Sequence, residues 1–204
     1  MPSVLVPAAR WERWVANFAT GHGGADLTVA DGALRGQAVD GSHFAARLPF
    51  ASAYDGPPEA ADFAAAAQAP GEWGVLLVRK GGFAVARMGG VALVEHKIGQ
   101  RHVQGRTKAG GQSQQRFARR RDNQARQAYE AAADHAARIL TEPVRALVTG
   151  GDHPAVEQVL DDARLARLRD RVVPPWLAVP DPRRSVLEQA VAEATSASFE
   201  VTNA

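Results

Sequence analysis

Between Gly105 and Arg121 the chain reads GRTKAGGQSQQRFARRR. Gly110 and Gly111 stand directly before Gln112, with Arg106 and Lys108 ahead of them and Arg116, Arg119, Arg120 and Arg121 behind. Consecutive glycines let a backbone adopt conformations closed to other residues and pass very close to another molecule, so that main-chain groups can act at a crowded site. The same glycines would also serve a flexible loop ahead of a helix. The arginines weigh against that simpler reading. They fall in the first half of a long helical pattern, where the positive end of the macrodipole disfavours each well-placed cation by about 0.3–1 kcal/mol. An external anion would offset that cost. Free N–H groups at a helix start and guanidinium forks both suit phosphate, and phosphate repeated along a path means nucleic acid.

The rest of the composition narrows the chemistry. From Lys97 to Arg126 nine Lys or Arg face a single acid, Asp122, a local charge of +8 in a 204-residue chain of net +2, so the remainder carries −6. Such asymmetry is expected where one surface meets a polyanion, although a solvated helix face has the same appearance. There is no cysteine, which excludes disulfides, thiolate metal sites and a thiol nucleophile. The six histidines (His22, His43, His96, His102, His135, His153) form no HxxxH or HExxH pair. His96 and His102, which flank the basic loop, read as structural or RNA-contacting. No GxSxG elbow suggests a serine hydrolase. No metal site and no cofactor are expected. The start, MPSVLVPAARWERWV, lacks the basic-then-apolar pattern of a signal peptide, and no stretch approaches the roughly 20 apolar residues of a membrane span, so a cytoplasmic protein without membrane contact is expected.

The elements that must position the Gly-Gly-Gln stretch are legible from periodicity. Trp11, Trp14 and Phe18 predict a helix over 7–20, ended by GHGG, and three strands follow near 26–29, 34–39 and 44–48, punctuated by Asp-Gly pairs at 31 and 40. An Ala- and Pro-rich connector with a short helix near 60–68 leads to GVLLVRK, FAVARM and VALVEHK, a three-strand antiparallel meander whose Gly81-Gly82 and Gly89-Gly90 pairs suit the positive φ of tight turns. A helix is predicted over 113–140, with Phe117, Ala125, Ala128, Ala132, Ala136 and Ile139 on its apolar stripe. Then come a buried strand in PVRALVTG, a helix in PAVEQVLDDARLARLRD, an extended piece in RVVPPWLAV, and a final helix capped by Asp181 before Pro182. The order βββαβαβα predicts an α/β chain with a mixed sheet, the ribonuclease H-like arrangement, spanning 71–204, with residues 1–70 as a small N-terminal extension of helix, β region and connector. Metal-dependent nucleases of that architecture need clustered carboxylates on the first strands, and the meander from Gly74 to Lys97 holds only Glu95.

GGQSQQRFARRR resembles the GGQ motif and the following GGQSxxRFARxR helix in the middle domain of archaeal and eukaryotic class I translation release factors, and the preceding three strands match that domain's topology. The resemblance covers about 71–196 and is closest to the Vms-like release-factor family, including its actinobacterial members. It implies hydrolysis of the ester joining a nascent peptide to tRNA in the peptidyl transferase centre, with Gln112 orienting water and Gly110 and Gly111 permitting the backbone path. Arg106, Lys108, Ser113, Arg116, Arg119, Arg120 and Arg121 would hold rRNA or tRNA, and Phe117 would anchor the helix to the sheet. The implied partners are the large ribosomal subunit and peptidyl-tRNA, met by a monomer. Nothing in the chain resembles a codon-reading or GTPase-recruiting domain, so stop-codon-independent release of stalled peptides is expected. A non-catalytic RNA-binding module and a tRNA 3′-end nuclease are the alternatives.

Overall fold

The computed structural model describes residues 3–100, 112–141 and 143–204, with the backbone alone for 100 and 112–124. In chain order the elements are β1 (Ser3–Val6), α1 (Trp11–Gly21), β2 (Ala25–Ala30), β3 (Ala33–Ala38), β4 (His43–Arg47), α2 (Ala60–Ala66), β5 (Glu72–Arg79), β6 (Gly82–Gly89), β7 (Ala92–Gln100), α3 (Gln112–Ile139), β8 (Ala146–Gly151), α4 (His153–Leu160), α5 (Ala166–Arg169), β9 (Val172–Leu177), α6 (Arg184–Ala194) and β10 (Ala197–Thr202). They form two compact units, Met1–Ala69 with Val191–Ala204 and Pro70–Ala190.

The first unit is an antiparallel sheet in the order β1-β10-β4-β3-β2. Alternation along β4 buries Phe44 and Ala46, and along β10 Ala197 and Phe199, against Trp11, Phe18 and Phe63. Trp14 fills the middle of this aromatic cluster, 4.3 Å from the Phe199 ring and edge-on to Phe44 at 5.1 Å. Asp31 (φ 52°) and Gly32 (φ 68°) make the β2–β3 turn, both in the left-handed region that such hairpin turns require. β1 and β10 have no counterpart among the strands expected from the sequence. They pair with each other, Ser3 opposite Glu200, across nearly the whole chain, and β10 also pairs with β4, so the last residues complete the first sheet instead of closing the segment that begins at residue 71.

The second unit carries the expected mixed sheet, in the order β7-β6-β5-β8-β9, with β5, β6 and β7 antiparallel and β8 and β9 added parallel to β5. β5 is buried along six successive residues, as a central strand covered on both faces must be. On one face Leu76 and Val78 of β5 and Phe83 and Val85 of β6 join Ala128, Ala132, Ala136 and Ile139 of α3 and Val156 and Val159 of α4 in one core.

Three local expectations are corrected. The helix read over 154–170 breaks after Leu160, where the Asp162 carboxylate accepts hydrogen bonds from the Arg164 backbone and guanidinium, which hold its pKa down to about 2, and the chain re-forms as a short 3₁₀ turn and α5. α6 starts at Arg184, so Asp181 does not cap it; the Asp181 carboxylate lies 3.6 Å from Arg79 Nε instead. Gly90 takes the positive φ (57°) expected of a turn, but Gly81 and Gly82 do not. Gly81 serves close approach: a Cβ there would lie 2.7 Å from Asp181 Oδ2.

Gly99, near the end of β7, has the same kind of role, because its missing Cβ leaves room for the Phe83 ring, whose nearest carbon would be 2.3 Å away. Gly99→Ala should therefore lower stability in urea unfolding by about 1–3 kcal/mol through overpacking. Gly71→Ala, where nothing lies within 4 Å of the added carbon, should change it by no more than about 0.5 kcal/mol. Equal effects at the two positions would contradict this packing.

Candidate functional site

Strand register brings three strand ends together. Arg79 pairs with Gly82 and Gly82 with Gln100, while Val78 pairs with Gly151, so the carboxyl ends of β5, β7 and β8 share one end of the second unit's sheet. α3 runs back from that end to the other. Its Tyr129 lies with Arg79 and Gly151, and Leu140, just past its C-terminus, lies against Gly74 at the start of β5, where a Cβ would be 2.9 Å from Leu140 Cδ2. From Tyr129 to Leu140 the helix and from Gly74 to Arg79 the strand both advance by about 16 Å. Gln112, the first residue of α3, stands 17 residues before Tyr129, about 25 Å farther along the helix axis.

The side chains facing the sheet explain this placement. Ala128, Ala132, Ala133 and Ala136 are buried almost completely, and small residues let a helix lie close to the strands beneath it. His135 stacks on Phe83 with ring centroids 5.6 Å apart, and burial, aided by the Lys97 and Arg138 cations, pushes its pKa below the usual histidine value. At the start of α3 the first turn contains no acid.

Of the residues singled out in the sequence, Gly110, Gly111, Arg106, Lys108 and His102 lie outside the described residues. Gln112, Ser113, Arg116, Phe117, Arg119, Arg120 and Arg121 are all on α3, as backbone only, so the expected anchoring by Phe117 also lies outside what is described. The other histidines have local partners: His22 bonds Asp40 at 2.7 Å, His43 approaches the Gly41 carbonyl at 3.5 Å, His96 accepts from Arg184 at 3.0 Å, and His153 stacks on Trp176 at 3.5 Å.

The carboxylates of the meander are paired as well. β5 begins at Glu72, two residues before the run read from sequence, and Glu72 holds Arg87 at 3.2 Å while Glu95 holds Arg138. Among the described residues no group of three or more His, Asp or Glu is placed to hold a metal ion, and no helix is long and apolar enough to cross a membrane.

One feature escaped the sequence reading. A cleft of about 610 Å³ opens at the carboxyl ends of β5 and β8, lined by Arg79, Lys80, Tyr129, Gly151, Asp152 and His153. Its signal was the Gly150-Gly151 pair between a strand and a helix. Gly150 has no room for a Cβ beside the Leu177 carbonyl (2.4 Å), and Gly151 combines φ 101° with a 2.2 Å approach to the Val78 carbonyl.

The family model for the Actinobacteria/chloroflexi VLRF1 release factor (acVLRF1) matches residues 71–200. The chain belongs to this family. Its match begins one residue after the start of the second unit and includes the meander, α3 and both parallel strands. No curated protein matches the chain. Among solved structures, the archaeal translation termination factor aRF1 is similar with a TM-score of 0.44 and 14% identity over 61% of this chain, which spans 34% of that factor's length. An archaeal protein matches at TM-score 0.40 and 12% identity, over 78% of this chain and 51% of that one. The Vms1 mitochondrial localization core matches at TM-score 0.44 and 12% identity, over 93% and 80%.

Because α3 is held at close range by alanines, Ala132→Leu should cost about 1–3 kcal/mol in urea unfolding. An exposed change on the same helix, Glu130→Gln, should stay within about 0.5 kcal/mol. An Ala132→Leu protein as stable as the parent would show that the helix does not lie close to the sheet.

Proposed function

We infer that the chain is a cytoplasmic, stop-codon-independent peptidyl-tRNA hydrolase that releases stalled nascent peptides at the peptidyl transferase centre of the large ribosomal subunit. The observation that carries this reading is the position of Gln112 as the first residue of a 28-residue helix, about 25 Å beyond Tyr129 at the sheet end. A sheet and an alanine-faced helix thus form a rigid stem for a loop that must reach a buried ester. Membership of a release-factor family supports the same activity.

The chemistry assigned to the chain is small in extent. A glutamine amide is too weak a base to take a proton, so Gln112 orients the attacking water, and Gly110 and Gly111 bring backbone N–H groups near the charge that develops on the ester oxygens. RNA supplies most of the surrounding site. Arg106, Lys108, Ser113, Arg116, Arg119, Arg120 and Arg121 grip rRNA or tRNA phosphates, which offset the cost of cations at a helix N-terminus. The protein acts as a monomer, and a nuclease reading is disfavoured because the Glu72 and Glu95 carboxylates are already tied to arginines.

Purified Gln112→Ala should lose peptide release from peptidyl-tRNA on large subunits by roughly a hundredfold or more, while binding subunits as the parent does. Full release by Gln112→Ala would remove the glutamine from the mechanism. Subunit binding without any release by the parent would make the chain a binding module, and a shortened tRNA 3′ end would make it a nuclease. Reversing Arg119 and Arg120 to Glu should weaken subunit binding and flatten its dependence on log salt by about 0.7–0.9 for each phosphate no longer neutralised. An unchanged salt slope would return those arginines to a merely solvated helix face.

A further inference from the structure

The cleft at the carboxyl ends of β5 and β8 plays no part in the hydrolysis described above, yet it is built as a binding site. It lies where the sheet changes direction: β5 has an antiparallel neighbour, β6, on one side and a parallel neighbour, β8, on the other. Its opening lies outside the carboxyl ends of the parallel neighbours β5 and β8. Gly151 lines it with no room for a Cβ beside the Val78 carbonyl, and Gly150 before it has none beside the Leu177 carbonyl.

α4 starts there with Asp152 at its N-cap, whose side chain makes no capping hydrogen bond; the Ala155 and Val156 N–H groups bond the Asp152 carbonyl and Pro154 has none, which leaves His153 as the first-turn N–H without an intrahelical acceptor. Asp152 is compensated by Arg79 at 3.7 Å, and Arg79 is itself held by the Val179 carbonyl at 2.7 Å and by Asp181 at 3.6 Å. Lys80 lines the same cleft with no ion-pair partner among the described residues. Behind it Tyr129 is only 9% exposed, and its hydroxyl has no hydrogen-bond partner among the described residues. Burial, and after it the negative charge of Asp152, raises the Tyr129 pKa, so the group is a neutral donor facing the Asp152 side of the cleft.

An unpaired ammonium, an unused phenol donor and a helix N-terminus line one opening, beside Arg79 and the two carboxylates it contacts. A tetrahedral oxyanion with several acceptor oxygens satisfies all three at once. We propose that this cleft is a phosphate-binding site, holding a phosphate monoester or diester between Lys80, the Tyr129 hydroxyl and the start of α4. The phosphate comes either from an RNA backbone or from a free nucleotide. An RNA source would place a second backbone contact at the same sheet end from which α3 projects, and that variant alone rests on the function proposed above.

The test follows backbone amide resonances of the full chain, at Lys80 and from Gly151 to Ala155, during titration with AMP, with inorganic phosphate and with a short single-stranded RNA. Saturable shifts are expected at these amides. Lys80→Met and, separately, Tyr129→Phe should each weaken the response by about tenfold, the effect of removing one hydrogen bond to a charged group. Lys80 is exposed, and phenylalanine keeps the Tyr129 ring in place, so both variants should remain folded. Shifts with AMP and inorganic phosphate would identify a free-nucleotide source, and shifts with RNA alone a backbone source. Unmoved cleft amides with all three probes would overturn the site, as would an undiminished response in Lys80→Met or an equal response to sodium chloride. Gln112→Ala should keep the cleft response whatever its release activity, which separates this outcome from that of the hydrolase reading.

Discussion

Along α3 the residues Ala128, Ala132 and Ala136, ending in Ile139 and Leu140, lie against Leu76, Val78, Phe83 and Val85 of the sheet, and the rest of the second unit depends on that contact. Alanine gives up little side-chain entropy and adds little bulk, so the helix lies close to the strands and its direction is set by them. The contact fixes the helix from Tyr129 to its C-terminus. The same helix then continues N-terminally past the sheet end as far as Gln112. The position of Gln112 is therefore set by the core behind the helix rather than by its neighbours in sequence.

Charge is arranged around this stem in two different ways. At several described positions cations are matched locally: Arg87 by Glu72, Arg138 by Glu95, Arg164 by Asp134 and Asp162, and Arg169 by Asp161. These exposed pairs stabilise only slightly, since water and salt screen them. They do remove carboxylates from other work, which matters for Glu72 and Glu95 because they are the acids nearest the strands where a metal-dependent nuclease would need them. In the basic segment of α3 the sequence provides almost no matching acids. That pattern is expected where a surface meets a polyanion, and a solvated helix face shares it.

The periodic elements were largely readable from the chain alone. The Trp11, Trp14 and Phe18 spacing, the three-strand meander and the alanine stripe of α3 each repeat often enough to declare their structure, and the observed bounds fall within a few residues of those expected. Asp31-Gly32 and Gly90 behaved as turn residues because a hairpin loop is a local event. The misreadings share a different cause. Gly81 resembles any other turn glycine until Asp181, a hundred residues later, is seen occupying the space of its Cβ. Asp181 resembles a helix cap until Arg79 is seen to take it, and β1 is too short to announce itself without β10 as its partner.

By itself the sequence determined the three-strand meander and the long helix of the second unit, the concentration of positive charge between Lys97 and Arg126, and the Gly-Gly-Gln stretch with its resemblance to release factors. All of these are encoded in residues close together, where periodicity, charge and motif spacing act directly. Tertiary structure alone decided that the last strand completes the first sheet, that Glu72 and Glu95 are neutralised by Arg87 and Arg138, and that Lys80, Tyr129 and the start of α4 surround one cleft. Those facts depend on which strands become neighbours. Strand order brings residues 80, 129 and 153 together only after hydrophobic burial has chosen the pairing, and no pattern within a local window contains that choice.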